Sequence, residues 1–166
     1  MFRSFSDFSR AWQGERESTL KIMRTLTDPS LSQKVSPEGR TLGRLAWHIV
    51  QTLGEMGGHA GLVVDAPNEH TPQPATAKAI ADAYKAGSAA VETAVKAAWI
   101  DADFSTEIDM YGEKWTRGQS LAALISHEAH HRGQMTVLMR QAGLKVPGVY
   151  GPAREEWAAY NVPAQD

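Results

Sequence analysis

Hydrophobic residues recur at helical spacing in four segments of the chain. The first segment begins near Ser6, a candidate N-cap, and ends at Asp28, because a residue that precedes a proline is disfavoured in the α region. The second follows a turn-forming stretch at 36–39, and four glycines in its later half leave its end open. The third covers about Thr76–Ala98. The apolar stripes of these three segments are Phe8, Trp12, Leu20, Met23 and Leu26; Leu42, Leu45, Ala46, Ile49, Val50, Leu53 and Met56; and Ile80, Tyr84, Val91 and Val95.

The fourth segment has clear start and stop signals. Thr116 and Gln119 have the spacing of a capping box, and Gly143 is a natural glycine just past a helix end. Between the third and fourth segments, residues 101–115 lose the helical period, and Tyr111 with the following glycine suits the turn of a short hairpin or an ordered loop. The pattern predicts an all-α fold: a four-helix bundle with a short hairpin or ordered loop before helix four.

Length and composition fit one domain. The chain has 166 residues, of which 42% are hydrophobic, enough to form a core without disulfides or metals. We therefore predict a single domain over 1–166. Its turn-rich tail, 153–166, has room for one short helix at 153–160.

The balance of charge argues against partners with strong charge. The net charge of −2 does not suit a protein that coats phosphate backbones or anionic lipid, so we expect neither nucleic acid nor membrane as a partner. The longest apolar run, Leu121–Ile125, is far below the roughly 20 residues of a membrane helix. Without an evident export signal, a cytoplasmic location is the default expectation. The chain has no cysteine, so thiolate metal sites and cysteine nucleophiles are excluded.

Three of the six histidines stand within five residues on the fourth segment. On a helix, His127 and His131 project from the same side, one turn apart, close to the apolar stripe. His130 projects about 60° the other way. Two neighbouring imidazoles on an apolar face need a shared positive partner or a polar network. This pattern indicates a metal site, because neutral imidazole binds zinc, nickel, copper or iron.

A third ligand should come from a facing helix. His48 lies at the edge of the apolar stripe of helix two, a position from which a side chain reaches a cavity between helices. Glu55 and His59 lie on the same side of that helix and are the next candidates. His70 lies in a proline-rich loop and is a weaker one.

Several motifs in this order resemble the DinB/YfiT-like superfamily, over about residues 5–152. The resemblance rests on Arg40-Thr-Leu-Gly-Arg-Leu-Ala-Trp-His48-Ile, then Met110-Tyr-Gly112, then Thr116 followed by His127-x-x-x-His131-Arg-Gly-Gln134, and finally Leu138-Met-Arg-Gln-Ala-Gly143, Val146-Pro147 and Tyr150-Gly-Pro152.

The resemblance implies a four-helix bundle, usually a homodimer, that holds one divalent cation on three histidines. By position these are His48, His127 and His131. It also implies a small-molecule substrate: members of known activity include thiol S-transferases that use low-molecular-weight thiols such as bacillithiol or mycothiol, and a thiol-dependent maleylpyruvate isomerase. Zinc or nickel is the expected metal, and such a thiol is a possible cosubstrate.

Three protein ligands leave a coordination position open, as in catalytic metal sites. We therefore expect a metal-dependent transferase, with thiol S-transfer first and hydrolysis second. The alternative from another class is a non-catalytic metal-binding bundle that acts as a sensor or a structural element. The sequence identifies no catalytic residue beyond the metal ligands.

The stretch His127-Glu128-Ala129-His130-His131 also matches the zinc-peptidase motif His-Glu-x-x-His, with Glu155 as a conceivable third ligand. The following Arg132-Gly133-Gln134 breaks the longer form of that motif. We expect Glu128 instead to form an ion pair with Arg132 one turn on, and Gly133 to mark the close approach of a neighbouring helix. Arg132 and Gln134 have packing or supporting roles in this interpretation, and Tyr111, Trp115 and Tyr150 either line a pocket or pack.

Overall fold

The computed structural model describes residues 1–164, so the last two residues of the predicted tail lie outside the described residues. The described residues form an all-α bundle, as predicted, with one small hairpin before the last long helix. The α-helices are α1 (Phe5–Met23), α2 (Leu42–His59), α3 (Ala77–Ala98) and α4 (Arg117–Gln141); the strands are β1 (Glu107–Met110) and β2 (Glu113–Thr116); and short 3-10 helices cover Asp28–Ser32, Asp101–Ser105 and Arg154–Tyr160.

The four helices enclose one continuous core. Helix α2 packs against α3 and α4, and α1 packs against the same two helices from the other side. The largest side chains that are fully buried there are Trp12, Tyr84, Phe8, Phe104, Ile22, Met23, Leu42, Ile49, Leu53, Ile80, Met110 and Leu124. The apolar stripes read from the sequence are thus the surfaces that meet in the core.

Each of the four α-helices begins after a serine or threonine whose hydroxyl accepts a backbone N–H of the first turn: Ser4, Thr41, Thr76 and Thr116. Such caps satisfy amide groups that have no partner within the helix. The prediction of Ser6 as the first cap was wrong by two residues. Helix α1 also ends at Met23, before Asp28, and the proline after Asp28 lies instead in the first turn of a 3-10 helix.

Strands β1 and β2 pair antiparallel, which confirms the hairpin alternative for residues 101–115. Tyr111 and Gly112 form its turn, with φ of 54° and 86°. A positive φ suits glycine but is unfavourable for tyrosine. The Tyr111 hydroxyl donates to Glu55 Oε1 at 3.1 Å, and its ring lies 5.0 Å from the ring of His59. The turn is therefore held against the last turns of α2.

The glycines of α4 have roles different from the one expected. A Cβ atom added at Gly133 would meet no atom within 4 Å, so no neighbouring helix approaches there and that prediction was wrong. A Cβ added at Gly118 would lie 2.0 Å from the carbonyl oxygen of Phe2. On α4 it is therefore Gly118, and not Gly133, that another segment approaches closely, and that segment is the start of the chain.

Among the described residues, none of the helices combines the length and the apolar character that a membrane span requires.

The capping box of α4 should be measurable in stability. Thr116 Oγ1 accepts the Gln119 N–H at 3.1 Å, and Gln119 Oε1 accepts the Thr116 N–H at 3.4 Å. We expect Thr116→Ala to lower the free energy of unfolding by about 1 kcal/mol in urea denaturation, because a helix amide loses its partner. Thr93→Ala, at an exposed interior position of α3, is the control and should be neutral or slightly stabilising. Equal losses in both variants would contradict a capping role.

Candidate metal centre

Three histidines from two facing helices converge between α2 and α4. His48 comes from α2, and His127 and His131 come from α4. One ring nitrogen from each of the three lies within 4.8 Å of those of the other two. The structure therefore brings together the three residues that the sequence singled out as ligands.

The two histidines of α4 face each other across one helical turn. The Nε2 atoms of His127 and His131 are 3.1 Å apart. The His48 ring meets both of these rings edge-on, with ring centroids 5.0 Å from His127 and 4.7 Å from His131. His48 lies at the border of the apolar stripe of α2, and this position lets its side chain extend into the space between α2 and α4. A residue that faced the core directly would be covered by its neighbours.

Gln134 orients the ring of His131. Its Oε1 lies 2.7 Å from His131 Nδ1, so His131 Nδ1 carries the proton and donates it, which leaves a lone pair on Nε2. The Gln134 amide in turn lies 3.1 Å from His130 Nε2. A hydrogen bond to the outer nitrogen of a histidine is the usual way in which proteins fix a metal ligand. In the sequence, only the spacing of three residues between His131 and Gln134 indicated this role.

Burial keeps the three imidazoles uncharged. Burial is the main cause that lowers the pKa of His48 and of His127 to about 4 each, and the charges of neighbouring histidines and of Arg40 act in the same direction. Burial likewise lowers the pKa of His131, against an opposing effect of its bond to Gln134. At neutral pH all three are neutral, and only a neutral imidazole has a lone pair for a metal.

These residues fit a divalent ion. Two nitrogens that bind one zinc at ~2.0–2.1 Å lie at most about 4.2 Å apart, so the 3.1 Å between the Nε2 atoms of His127 and His131 is compatible with a shared ion. His127 Nδ1 is buried and has no hydrogen-bond partner among the described residues. If His127 carries its proton there, its Nε2 lone pair is directed at the cluster.

The remaining histidines and Glu55 lie outside the cluster. His130 is exposed, and it contacts Gln134. His59 packs on the Tyr111 ring, and Glu55 accepts the Tyr111 hydroxyl. His70 is exposed in its loop beside Glu69.

Glu128 lies on a different face of α4 from His127 and is fully buried. Its Oε2 accepts the hydroxyl of Tyr84 at 2.9 Å and that of Thr19 at 3.1 Å, which come from α3 and α1. The expected ion pair with Arg132 is therefore wrong, because tertiary partners take both side chains. Burial raises the pKa of Glu128 to about 8.

Arg132 belongs to the same polar cluster but pairs with α1. Its guanidinium donates to Glu15 Oε2 at 2.6 Å and to Thr19 Oγ1 at 2.8 Å. It also donates to the Tyr150 hydroxyl and lies over the Tyr150 ring. Tyr150 therefore packs on this cluster and connects the tail to α1 and α4.

The peptidase motif has no support in this geometry. Its glutamate points away from the histidine cluster toward α1 and α3. Glu155, the conceivable third ligand, forms an ion pair with Arg140. Neither carboxylate belongs to the cluster.

Two cavities flank the three histidines. The first, called here the Arg40 cavity, has a volume of about 400 Å³, and the second, the Tyr111 cavity, about 330 Å³. Trp115 and Tyr111 line the second, so these aromatic residues border a pocket. The Arg40 cavity is lined by Val35, Gly39, Arg40, Leu45, His131, Gln134, Val137 and Leu138, and the Tyr111 cavity by His48, Thr52, Glu55, Met56, Tyr111, Trp115, Ala123 and His127.

The buried carboxyl of Glu128 gives a prediction about pH. Its folded-state pKa of about 8 lies above the ordinary 4.5, so its contribution to stability is full below about pH 4.5 and is lost as pH rises toward 8. Glu128→Gln removes this loss. The free energy of unfolding of the variant, relative to that of the wild type, should therefore increase by more than about 1 kcal/mol between pH 5.5 and pH 8. Urea denaturation at both pH values measures this, with the exposed Glu17→Gln as the control. If the difference in free energy of unfolding between the variant and the wild type stayed constant from pH 5.5 to pH 8, Glu128 would be ionised in the folded protein.

Comparison with known proteins agrees with this architecture. The model of the DinB family matches residues 1–166. The uncharacterized protein YrdA of Bacillus subtilis (strain 168) is 44% identical over 164 residues, which cover 99% of this chain and 98% of YrdA.

The solved structures similar to this chain include two DinB-like proteins. The crystal structure of a DinB-like protein from Bacillus cereus ATCC 10987 has a TM-score of 0.87 and 45% identity, covering 90% of this chain and 100% of that one. That of the DinB-like protein YjoA from Bacillus subtilis has a TM-score of 0.68 and 16% identity, covering 86% and 97%, and it shows the shared fold alone. The match of the family model over the whole chain and the identity to YrdA show that this protein belongs to the DinB family.

Proposed function

We propose that this protein is a divalent-metal-dependent enzyme that uses His48, His127 and His131 as metal ligands and catalyses thiol S-transfer to a small electrophile. The observation that carries the proposal is the convergence of three neutral imidazoles from two helices, with a cavity on each side. A structural metal site is usually closed by four protein ligands, whereas three leave room for a reactant.

A divalent ion held by these residues would supply Lewis acidity, which lowers the pKa of a thiol or water and so provides a nucleophile near neutral pH. The chain's own residues provide the setting. Gln134 fixes the tautomer of His131, and the Arg40 cavity beside it has a largely apolar wall. The pKa of Tyr111 is raised to about 12, mainly by burial and then by Glu55, so its hydroxyl stays a neutral donor at the second cavity.

Zinc or nickel is the metal we propose. Imidazole ligands suit both ions, and a soft thiol suits zinc. The homodimer, the cytoplasmic location and the absence of nucleic-acid and membrane partners stay predictions.

Metal content tests the ligand assignment. His48→Ala, His127→Ala and His131→Ala should each abolish stoichiometric zinc in untagged protein dialysed against micromolar zinc, because two imidazoles bind far more weakly than three. His130→Ala and His70→Ala are matched controls and should keep full content. Elemental analysis gives zinc per chain. Full zinc content in His48→Ala would show that the third ligand is another residue, and Glu55 and His59 would be the next candidates.

Turnover tests the catalytic part of the proposal. Zinc- or nickel-loaded protein, a low-molecular-weight thiol and a haloaromatic electrophile should give a loss of free thiol that chelation or His127→Ala abolishes and His130→Ala does not. Stoichiometric metal without turnover across a panel of thiols and activated esters would favour the non-catalytic binding protein. Metal-dependent cleavage of casein that Glu128→Gln abolishes would favour a peptidase.

A further inference from the structure

We propose that the Arg40 cavity binds the carboxylate of a small organic acid whose apolar part lies against Val35, Leu45 and Val137. The inference deepens the proposed function, since it names the class of substrate that would reach His131. The anion site itself does not depend on a metal, so it can be tested without one.

The charge of Arg40 is uncompensated. No carboxylate of the described residues forms an ion pair with Arg40, whereas Arg16, Arg117 and Arg132 are each paired with an acid. The lining of the Arg40 cavity contains no acidic residue. A lone guanidinium at the mouth of a cavity favours an anion, which it can hold with two parallel hydrogen bonds.

The remaining wall of the cavity is apolar. Val35 is 65% exposed and Val137 52% exposed, so both leave large apolar surfaces beside the guanidinium. Leu45 and Leu138 form the floor and are buried. A volume of about 400 Å³ is in the range of small-molecule sites. This surface matches the hydrocarbon part of a ligand.

The backbone that presents Arg40 is ordered by its own hydrogen bonds. Lys34 and Thr41 form a β-bridge at the base of this loop, and the Leu42 N–H donates to the Gln33 carbonyl at 2.8 Å. At its tip the Gly39 N–H donates to the Ser36 carbonyl at 3.0 Å. A guanidinium on such a loop loses less backbone freedom on binding than one on a flexible segment.

The single positive charge favours a carboxylate over a phosphate. Arg40 is the one cationic side chain that lines the cavity, and the Gln134 amide is already engaged by His131 and His130. A dianionic phosphate is normally held by several cationic or backbone donors. One guanidinium beside an apolar wall therefore matches a monocarboxylate.

The test compares hexanoate, hexan-1-ol and inorganic phosphate as ligands of chelator-treated and of zinc-loaded protein, by NMR titration. Hexanoate should bind both forms with resonance shifts at Val35 and Val137, and more tightly than hexan-1-ol.

Arg40→Gln should weaken the binding of hexanoate about tenfold and leave that of hexan-1-ol unchanged, since it removes only the charge-assisted bonds. Arg24→Gln is the control: this exposed arginine forms no ion pair within 4.0 Å among the described residues, and it lines a different cavity between α1 and α3, to which Asp82 also contributes. Val137→Ser should weaken both ligands, because it reduces the shared apolar wall.

The outcomes separate this inference from the metal proposal. Hexanoate binding that depends on Arg40 in protein that takes up no zinc would support the anion site and contradict the metal centre. Binding only to zinc-loaded protein, insensitive to Arg40→Gln, would overturn the anion site, because the carboxylate would then be a metal ligand. Equal affinity for hexan-1-ol, equal weakening by Arg24→Gln, or phosphate binding as tight as hexanoate would also overturn it.

Discussion

The rotation of α4 about its own axis is the constraint on which the site depends. Two pairs of polar residues, each one helical turn apart, are offset by one position along this helix: His127 with His131, and Glu128 with Arg132. An offset of one residue is a rotation of about 100°, so the pairs face different neighbours. The first pair meets His48 of α2, and the second is held by α1 and α3. A small rotation of α4 would separate the histidines and break the buried network at the same time.

This arrangement explains how much of the molecule could be predicted. Helix limits followed from local chemistry, because Thr116 and Gly143 act within their own turns. The error at Ser6 arose because Ser4, two residues earlier, is also a serine and is the residue that caps α1. The convergence of the histidines was predictable in part, since His127 and His131 are neighbours on one helix. That His48 meets them depends on the packing of α2 against α4. The position of His48 at the edge of the α2 stripe made it a candidate, and the family resemblance implied it as a ligand.

The network behind α4 could not be predicted in the same way. A carboxylate and a guanidinium one turn apart indicate a surface ion pair when only local spacing is considered. Here Glu128 takes hydroxyl partners from Thr19 and Tyr84, and Arg132 takes Glu15, which is more than one hundred positions away along the chain. Burial of both groups is decided by α1 and α3, whose position no local pattern describes. The same reason explains Gly118, whose close neighbour, Phe2, lies at the start of the chain.

The contact between Phe2 and Gly118 has a practical consequence for handling the protein. Because the Phe2 N–H donates to the Gly118 carbonyl at 3.4 Å, the first residues are packed against the first turn of α4. An affinity tag fused at Met1 would emerge there, about 14 Å along the helix axis from His127 at a rise of 1.5 Å per residue and on the opposite face of α4. A flexible polyhistidine tail of about twenty residues has a mean span of about 25 Å, enough to pass around α4, and its imidazoles would compete with the three histidines for a metal ion. A long purification tag placed at the N-terminus would therefore act as a chelator tethered near the candidate metal centre.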